Sequence, residues 1–153
     1  MSLNIGDEVP ELELKDKNGE LFSFKDLKGE QAFVVYFYPK DFTPGCTKEA
    51  CSFRDRYEDF KDLGAEVIAI SSDSEASHSK FSEKYKLPFI FLSDTEKEAR
   101  KAFGVKSSFL GLVPGRETFV FDENGILRFR FNSMNATRHI PEALEALREI
   151  SKN

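Results

Sequence analysis

Ala32-Phe33-Val34-Val35-Tyr36-Phe37-Tyr38, followed directly by Pro39-Lys40-Asp41-Phe42-Thr43-Pro44-Gly45-Cys46, reads as a strand running into the start of a helix. The first seven residues are apolar or aromatic without a break, the pattern of a buried strand. Pro39 ends it, because proline has no N–H for a sheet ladder. Thr43 is a good N-cap and Pro44 suits the first helical position. Cys46 is then the third helical residue. Its N–H has no partner inside the helix, and the Thr43 hydroxyl oxygen can accept from it. Orphan N–H groups and the helix dipole both favour negative charge at the Cys46 sulfur. Such a place turns a thiol into a thiolate. The only other cysteine, Cys51, follows five residues later. A small buried hydrophobe is the usual fate of a cytosolic cysteine. The Thr-Pro-Gly run and the second cysteine argue instead for thiol redox chemistry at Cys46.

Working outward, the same rules order the rest of the chain. Residues 11–14 and 21–24 read as an N-terminal hairpin turned by Lys17-Asn18-Gly19. One helix over 44–62 carries Cys46, Ala50, Phe53, Tyr57 and Phe60 on one face, and Gly64 can end it. A buried strand over 66–70, a polar helix over 75–85 and a strand over 89–92 follow. Asp94 caps a short helix that stops near Gly104. Strands over 118–121 and 126–131 flank the turn Asp122-Glu123-Asn124-Gly125, and the second, alternating polar and apolar, has one wet face. The last helix turns Ile140, Leu144, Leu147 and Ile150 inward. Strands alternating with helices, then a closing hairpin and helix, predict a single α/β three-layer domain over 1–153. In open α/β sheets, sites form where strand C-termini meet helix N-termini, and Cys46 lies at such a junction.

Composition narrows the function classes. A net charge of −5 with both signs mixed argues against a nucleic-acid surface. No apolar run reaches membrane-spanning length, and Met1-Ser2-Leu3-Asn4 has no signal-peptide character. Two cysteines are too few for a secreted disulfide framework, so a cytoplasmic, reducing location is the default. A start from which an organelle-targeting peptide had been removed would read the same.

The run from Phe37 to Cys51 resembles the active-site segment of a peroxiredoxin. Pro39, Thr43 and Cys46 fit the family pattern of proline, three residues, threonine or serine, two residues, cysteine. The wider string is similar to the bacterioferritin-comigratory-protein branch, also called the Q subgroup. Counterparts extend over nearly the whole chain: Gly6-Asp7-Glu8-Val9-Pro10, Leu92-Ser93-Asp94, Phe103-Gly104-Val105, and Arg116 before Thr118-Phe119-Val120-Phe121-Asp122.

The resemblance implies a thioredoxin-like fold with a central mixed β-sheet, and thiol-dependent reduction of hydrogen peroxide and organic hydroperoxides. By the same likeness Cys46 is the peroxidatic cysteine, oxidised to a sulfenic acid. Thr43 matches the hydroxyl that hydrogen-bonds the peroxide, Pro39 the residue that shields the thiolate, and Arg116 the arginine that polarises the peroxide. Arginine suits that role, being always charged and offering several donors in a fixed fork. Glu49 matches a glutamate that orients the arginine. Cys51 matches the resolving cysteine of part of this branch. Residues five apart in an α-helix have Cα atoms about 8–9 Å apart, whereas a disulfide wants less than about 7 Å. The first turns must therefore unwind before Cys46 and Cys51 can join. The implied partners are a peroxide and a thioredoxin-like or other dithiol reductant, with no cofactor, metal, nucleic acid or membrane, acting as a monomer or weak homodimer.

Competing readings fit less well. A zinc tetrad would need His78 and His139, which lie far along the chain from the cysteines. A thioredoxin-type reductase would want Cys-x-x-Cys. A glutathione-peroxidase-like enzyme would, by its own resemblance, use a tryptophan, and the chain has none. A peroxide-sensing relay or a binding module on the same fold would use the same Cys46 without generic turnover. Phe37, Tyr38 and Phe42 are candidates for an apolar approach or for core.

Overall fold

The structure is a computed structural model, and it describes residues 3–106 and 115–152. In chain order it contains β1 (Glu13–Asp16), β2 (Leu21–Ser23), β3 (Ala32–Phe37), α1 (Pro44–Asp55), α2 (Tyr57–Asp62), β4 (Ala65–Ser71), α3 (Glu75–Tyr85), β5 (Ile90–Ser93), α4 (Glu98–Phe103), β6 (Glu117–Phe121), β7 (Leu127–Asn132) and α5 (His139–Ser151). Single 3-10 turns lie at Phe24–Asp26 and Ala136–Arg138.

The strands form one mixed seven-stranded sheet in the order β2-β1-β5-β4-β3-β6-β7. β3 runs parallel to β4, in the register Val34 to Val67, and β4 runs parallel to β5. On its other side β3 pairs antiparallel with β6, which pairs antiparallel with β7. The period of two along β3 sorts its side chains into two cores. Val34, Tyr36 and Tyr38 join Cys46, Ala50, Phe53, Phe60, Phe81, Ile140 and Leu144 on the face covered by α1, α2, α3 and α5. Phe33, Val35 and Phe37 join Phe24, Ala99, Phe103, Phe119 and Phe121 on the face covered by α4 and the N-terminal segment. This is the three-layer, thioredoxin-like arrangement that the pattern of elements and the family resemblance predicted.

Two local expectations are corrected. The helix over 44–62 is two helices, broken at Arg56, whose φ of −110° and ψ of 11° leave the helical range. The apolar spacing runs across the break because the kink keeps Phe53 and Phe60 in one core, with ring centroids 5.5 Å apart. α2 is tied instead to β4, where the Tyr57 hydroxyl donates to Glu66 at 2.8 Å. The first hairpin strand lies at Glu13–Asp16 rather than 11–14. Its pairing with β5 (Lys15 opposite Ser93, Asp16 opposite Leu92) fixes where it ends. The Asp16 carboxylate then accepts the N–H groups of Asn18 and Glu20 and closes the turn.

Candidate active site

β3 delivers the chain to the edge of the helical layer, and the Tyr38 N–H still bonds to the Ile70 carbonyl at 3.1 Å. Pro39 follows, half-buried, and opens the loop to α1. Thr43 is the N-cap in extended geometry, and its carbonyl accepts the Thr47 N–H at 2.9 Å. Its hydroxyl departs from expectation. It does not cap the helix; it donates to the Lys40 carbonyl at 2.8 Å and closes the loop on itself. A carbonyl three residues back competes with the helix N–H groups for a threonine hydroxyl, and here the carbonyl wins.

Cys46 is buried, 2% exposed, on the inner face of α1 with Glu49, Ala50 and Phe53. Arg116, just before β6, is buried as well. Its Nη2 lies 3.4 Å from Cys46 Sγ, and its Nη1 donates to Glu49 Oε1. Glu49 is thus an interior residue and not a solvated helical one. One guanidinium bridges the cysteine and the glutamate across about 70 residues of sequence, as fork geometry permits. Gly45 makes room for it, and Gly115, the residue before Arg116, lets the backbone pass close to Lys106. A Cβ on Gly45 would lie 3.2 Å from Arg116 Nη2, and a Cβ on Gly115 would fall 1.7 Å from the Lys106 carbonyl oxygen. The Gly- and Ser-bearing stretch at 107–114 lies outside the described residues.

Cys51 sits on the same helix, half-buried, and both thiols are free. α1 is continuous between them, so the five-residue spacing cannot carry a disulfide while the helix is intact. Phe37 and Tyr38 are fully buried on opposite faces of the sheet and belong to the core. Of that trio, only Phe42 reaches solvent, at 44% exposure.

Behind Arg116 lies a residue that sequence reasoning set aside. His139, at the start of α5, takes the Thr118 hydroxyl at Nδ1 and gives Nε2–H to the Ser133 carbonyl, each at 2.7 Å. Burial pushes its pKa down to about 4, so the ring is neutral and matches that bonding. Its Nδ1 is 3.9 Å from Glu49 Oε2, an oxygen with no hydrogen bond of its own. Burial raises Glu49 to about 8, with Arg116 pulling the other way. Burial also works against the Arg116 charge, but Glu49 and Cys46 outweigh it and hold Arg116 above the ordinary arginine value.

A pH prediction follows from Glu49. Its folded-state pKa lies above the unfolded value, so its stabilising contribution is complete below about pH 4.5 and is lost as pH rises toward about 8. Glu49→Gln, which cannot ionise, removes that loss. The melting temperature of the parent minus that of Glu49→Gln should therefore fall steadily from pH 5 to pH 8. A difference that rises over the same range would mean that the Arg116 pair holds Glu49 ionised throughout.

Arg100 was also missed, because an arginine in a short charged helix reads as a solvated one. It is 9% exposed. Its Nη1 donates to the Gly115 carbonyl at 3.0 Å and its Nη2 to the Tyr38 carbonyl at 3.3 Å. It thus clamps the end of β3 to the residue before Arg116. The Asp94 carboxylate, expected to cap this helix, accepts the Ala99 and Arg100 N–H groups at 2.9 Å.

Among the described residues, one group has the spacing of metal ligands: Asp41, Asp73 and His78. Each of the three side chains has a hydrogen-bond partner within the protein, and neither cysteine belongs to the group.

The family model described as AhpC/TSA family matches residues 5–130. The chain belongs to the AhpC/TSA family. It is a peroxiredoxin, a thiol-dependent peroxidase by class. It is 49% identical over 146 residues to the chloroplastic peroxiredoxin Q of Sedum lineare, covering 95% of this chain and 78% of that one. The chloroplastic peroxiredoxin Q of Arabidopsis thaliana is also 49% identical, over 95% of this chain and 68% of its own length. Among solved structures, peroxidoxin BcpB of Mycobacterium tuberculosis superposes with a TM-score of 0.88 at 35% identity, covering 97% of this peroxiredoxin and 98% of the other chain. The bacterioferritin comigratory protein of Xanthomonas campestris gives a TM-score of 0.85 at 30% identity, over 95% and 99% of the two chains. No helix among the described residues of this peroxiredoxin is long and apolar enough to cross a membrane. The plant relatives are chloroplastic, so the family is not confined to the cytoplasm that cysteine usage suggested.

Proposed function

We propose that the chain reduces hydrogen peroxide and organic hydroperoxides at Cys46, resolves the product with Cys51, and is recycled by a thioredoxin-type dithiol. The contact that carries this reading is Arg116 Nη2 at 3.4 Å from Cys46 Sγ, with both groups shielded from water. A buried guanidinium stabilises a thiolate strongly, and its remaining donors can meet charge growing on a leaving oxygen. The thiolate attacks one peroxide oxygen; the O–O bond breaks, the sulfur becomes a sulfenic acid, and the other oxygen leaves with a proton as water or an alcohol. Thr43 presents its hydroxyl to the bound peroxide, Pro39 screens the thiolate, and Glu49 aims Arg116. α1 then unwinds, the Cys51 thiol displaces water from the sulfenic acid, and an intramolecular Cys46–Cys51 disulfide results. A dithiol reduces it and restores both thiols. The Xanthomonas campestris neighbour, whose description names alkyl peroxide reduction activity, supports organic hydroperoxides as substrates. We place the protein in a reducing compartment, as a monomer or weak homodimer.

Peroxide consumption with thioredoxin as reductant tests the proposal. The parent should turn over continuously, lose helical signal on oxidation, and gain hydrogen exchange in α1 in the disulfide form. Cys51→Ser should react once and stall as sulfenic acid, or over-oxidise, unless a small external thiol is added. Full thioredoxin-driven turnover by Cys51→Ser, or an unchanged helix in the disulfide form, would remove Cys51 from the cycle.

A further inference from the structure

The loop that carries the chain from β3 to α1 is tied down by a network that the chemistry above does not use. Asp41 is 3% exposed, and His78, on α3, is fully buried. One Asp41 carboxylate oxygen accepts the Tyr38 hydroxyl. The other lies 2.8 Å from His78 Nδ1 and accepts the Ser77 hydroxyl at 2.8 Å. His78 Nε2 is 3.1 Å from the Leu92 carbonyl, which can only accept, so that nitrogen carries a proton. The Asp41 N–H donates to Asp73 Oδ2 at 2.8 Å, and the Ser71 hydroxyl donates to the same oxygen at 2.6 Å. A single loop residue is thereby bonded to Asp73 in the β4–α3 loop and to two side chains of α3 and, through His78, to β5.

The next residue is strained. Phe42 has φ of +66°, in the left-handed region that residues with a Cβ avoid. Its ring does not demand this conformation: it is 44% exposed and meets the Phe81 edge at a centroid distance of 5.1 Å. The constraint comes from its neighbours. Asp41 is fixed on one side, and Thr43 must start α1 on the other.

We propose that Asp41 and His78 are positioning residues for Cys46. They hold the loop closed against the strain at Phe42, and their release frees α1 for Cys51 to reach the oxidised sulfur. No bond is made or broken at either residue. The covalent step they gate is the joining of the Cys46 sulfenic acid and the Cys51 thiol to a disulfide and water, so the inference rests on the cycle proposed above.

Variants of opposite sign test it. Asp41→Ala removes the oxygens that hold Tyr38, Ser77 and His78. Disulfide formation after one equivalent of hydrogen peroxide should quicken about tenfold, and less sulfinic acid should form at high peroxide. Phe42→Gly and Phe42→Ala both lose the ring, but only glycine also loses the strain. Phe42→Gly should therefore form the disulfide about fivefold more slowly than Phe42→Ala, with more sulfinic acid. Sulfenic acid formation, measured in the Cys51→Ser background, should change less than about threefold in all three, which a general loss of structure would not allow. Equal rates for Phe42→Gly and Phe42→Ala, or an Asp41→Ala protein that resolves no faster than the parent, overturns the proposal. A fall in both steps together also overturns it. A parent that forms no Cys46–Cys51 disulfide instead overturns the resolving role of Cys51, and the gate with it.

Discussion

Cys46→Ser lowers peroxide turnover by roughly 10³-fold or more, the scale seen when an enzyme loses its nucleophile. The substitution swaps one atom in a buried site, so the packing of α1 on β3 survives. What is lost is ionisation. The thiolate is the reactive form of cysteine, whereas a serine hydroxyl stays protonated at neutral pH even beside Arg116. A peroxide assay with a dithiol reductant, run with a melting curve, checks both halves of the expectation. Near-normal turnover in a folded Cys46→Ser protein would sink the assignment.

Arg116→Ala costs about 10²–10³-fold in kcat/KM, the usual loss when a preorganised donor to developing charge is removed. The guanidinium contacts the sulfur at 3.4 Å and has almost no water around it to take its place. Its loss takes away the one cation that opposes the burial of Glu49, which already stands at about 8, so the carboxyl stays protonated at neutral pH and the fold survives. Arg116→Lys keeps the charge and loses the fork that reaches Cys46 and Glu49 together, so it should fall between parent and alanine. The rate of Cys46 alkylation at pH 7, which follows the thiolate population, should drop in the same order. Alkylation unchanged in Arg116→Ala would confine the arginine to holding Glu49.

The element order and the place of the site were legible because they depend on local rules. The unbroken apolar run made β3, and Pro39 and Pro44 bounded the loop. The polar helix over 75–85 appears at those residues as α3. Arg116 and Glu49 were reached only through the family resemblance, and the structure places both against Cys46 or its arginine. Long-range pairings were not legible. Asp41 meets His78 across 37 residues, and Arg100 reaches Tyr38 across 62. No periodicity encodes such contacts, and arginine and histidine at those positions look like ordinary surface residues. The break at Arg56 was hidden for the opposite reason: the apolar spacing that marks a helix continues through it. The Thr43 hydroxyl shows a rule that was right about the residue and wrong about its partner. It sits at the cap, yet it serves the loop.

Gly45 carries a consequence for anyone seeking a more heat-resistant form of this protein. Alanine is the usual replacement for a helical glycine, gaining up to about 1 kcal/mol in an exposed helix interior. Here the added carbon would press on Arg116 Nη2 at 3.2 Å. The guanidinium would have to yield by a few tenths of an ångström, away from the sulfur it serves. Screening for melting temperature alone would accept that change, while screening for turnover would reject it. The glycine marks a point in this helix where durability and speed pull in opposite directions.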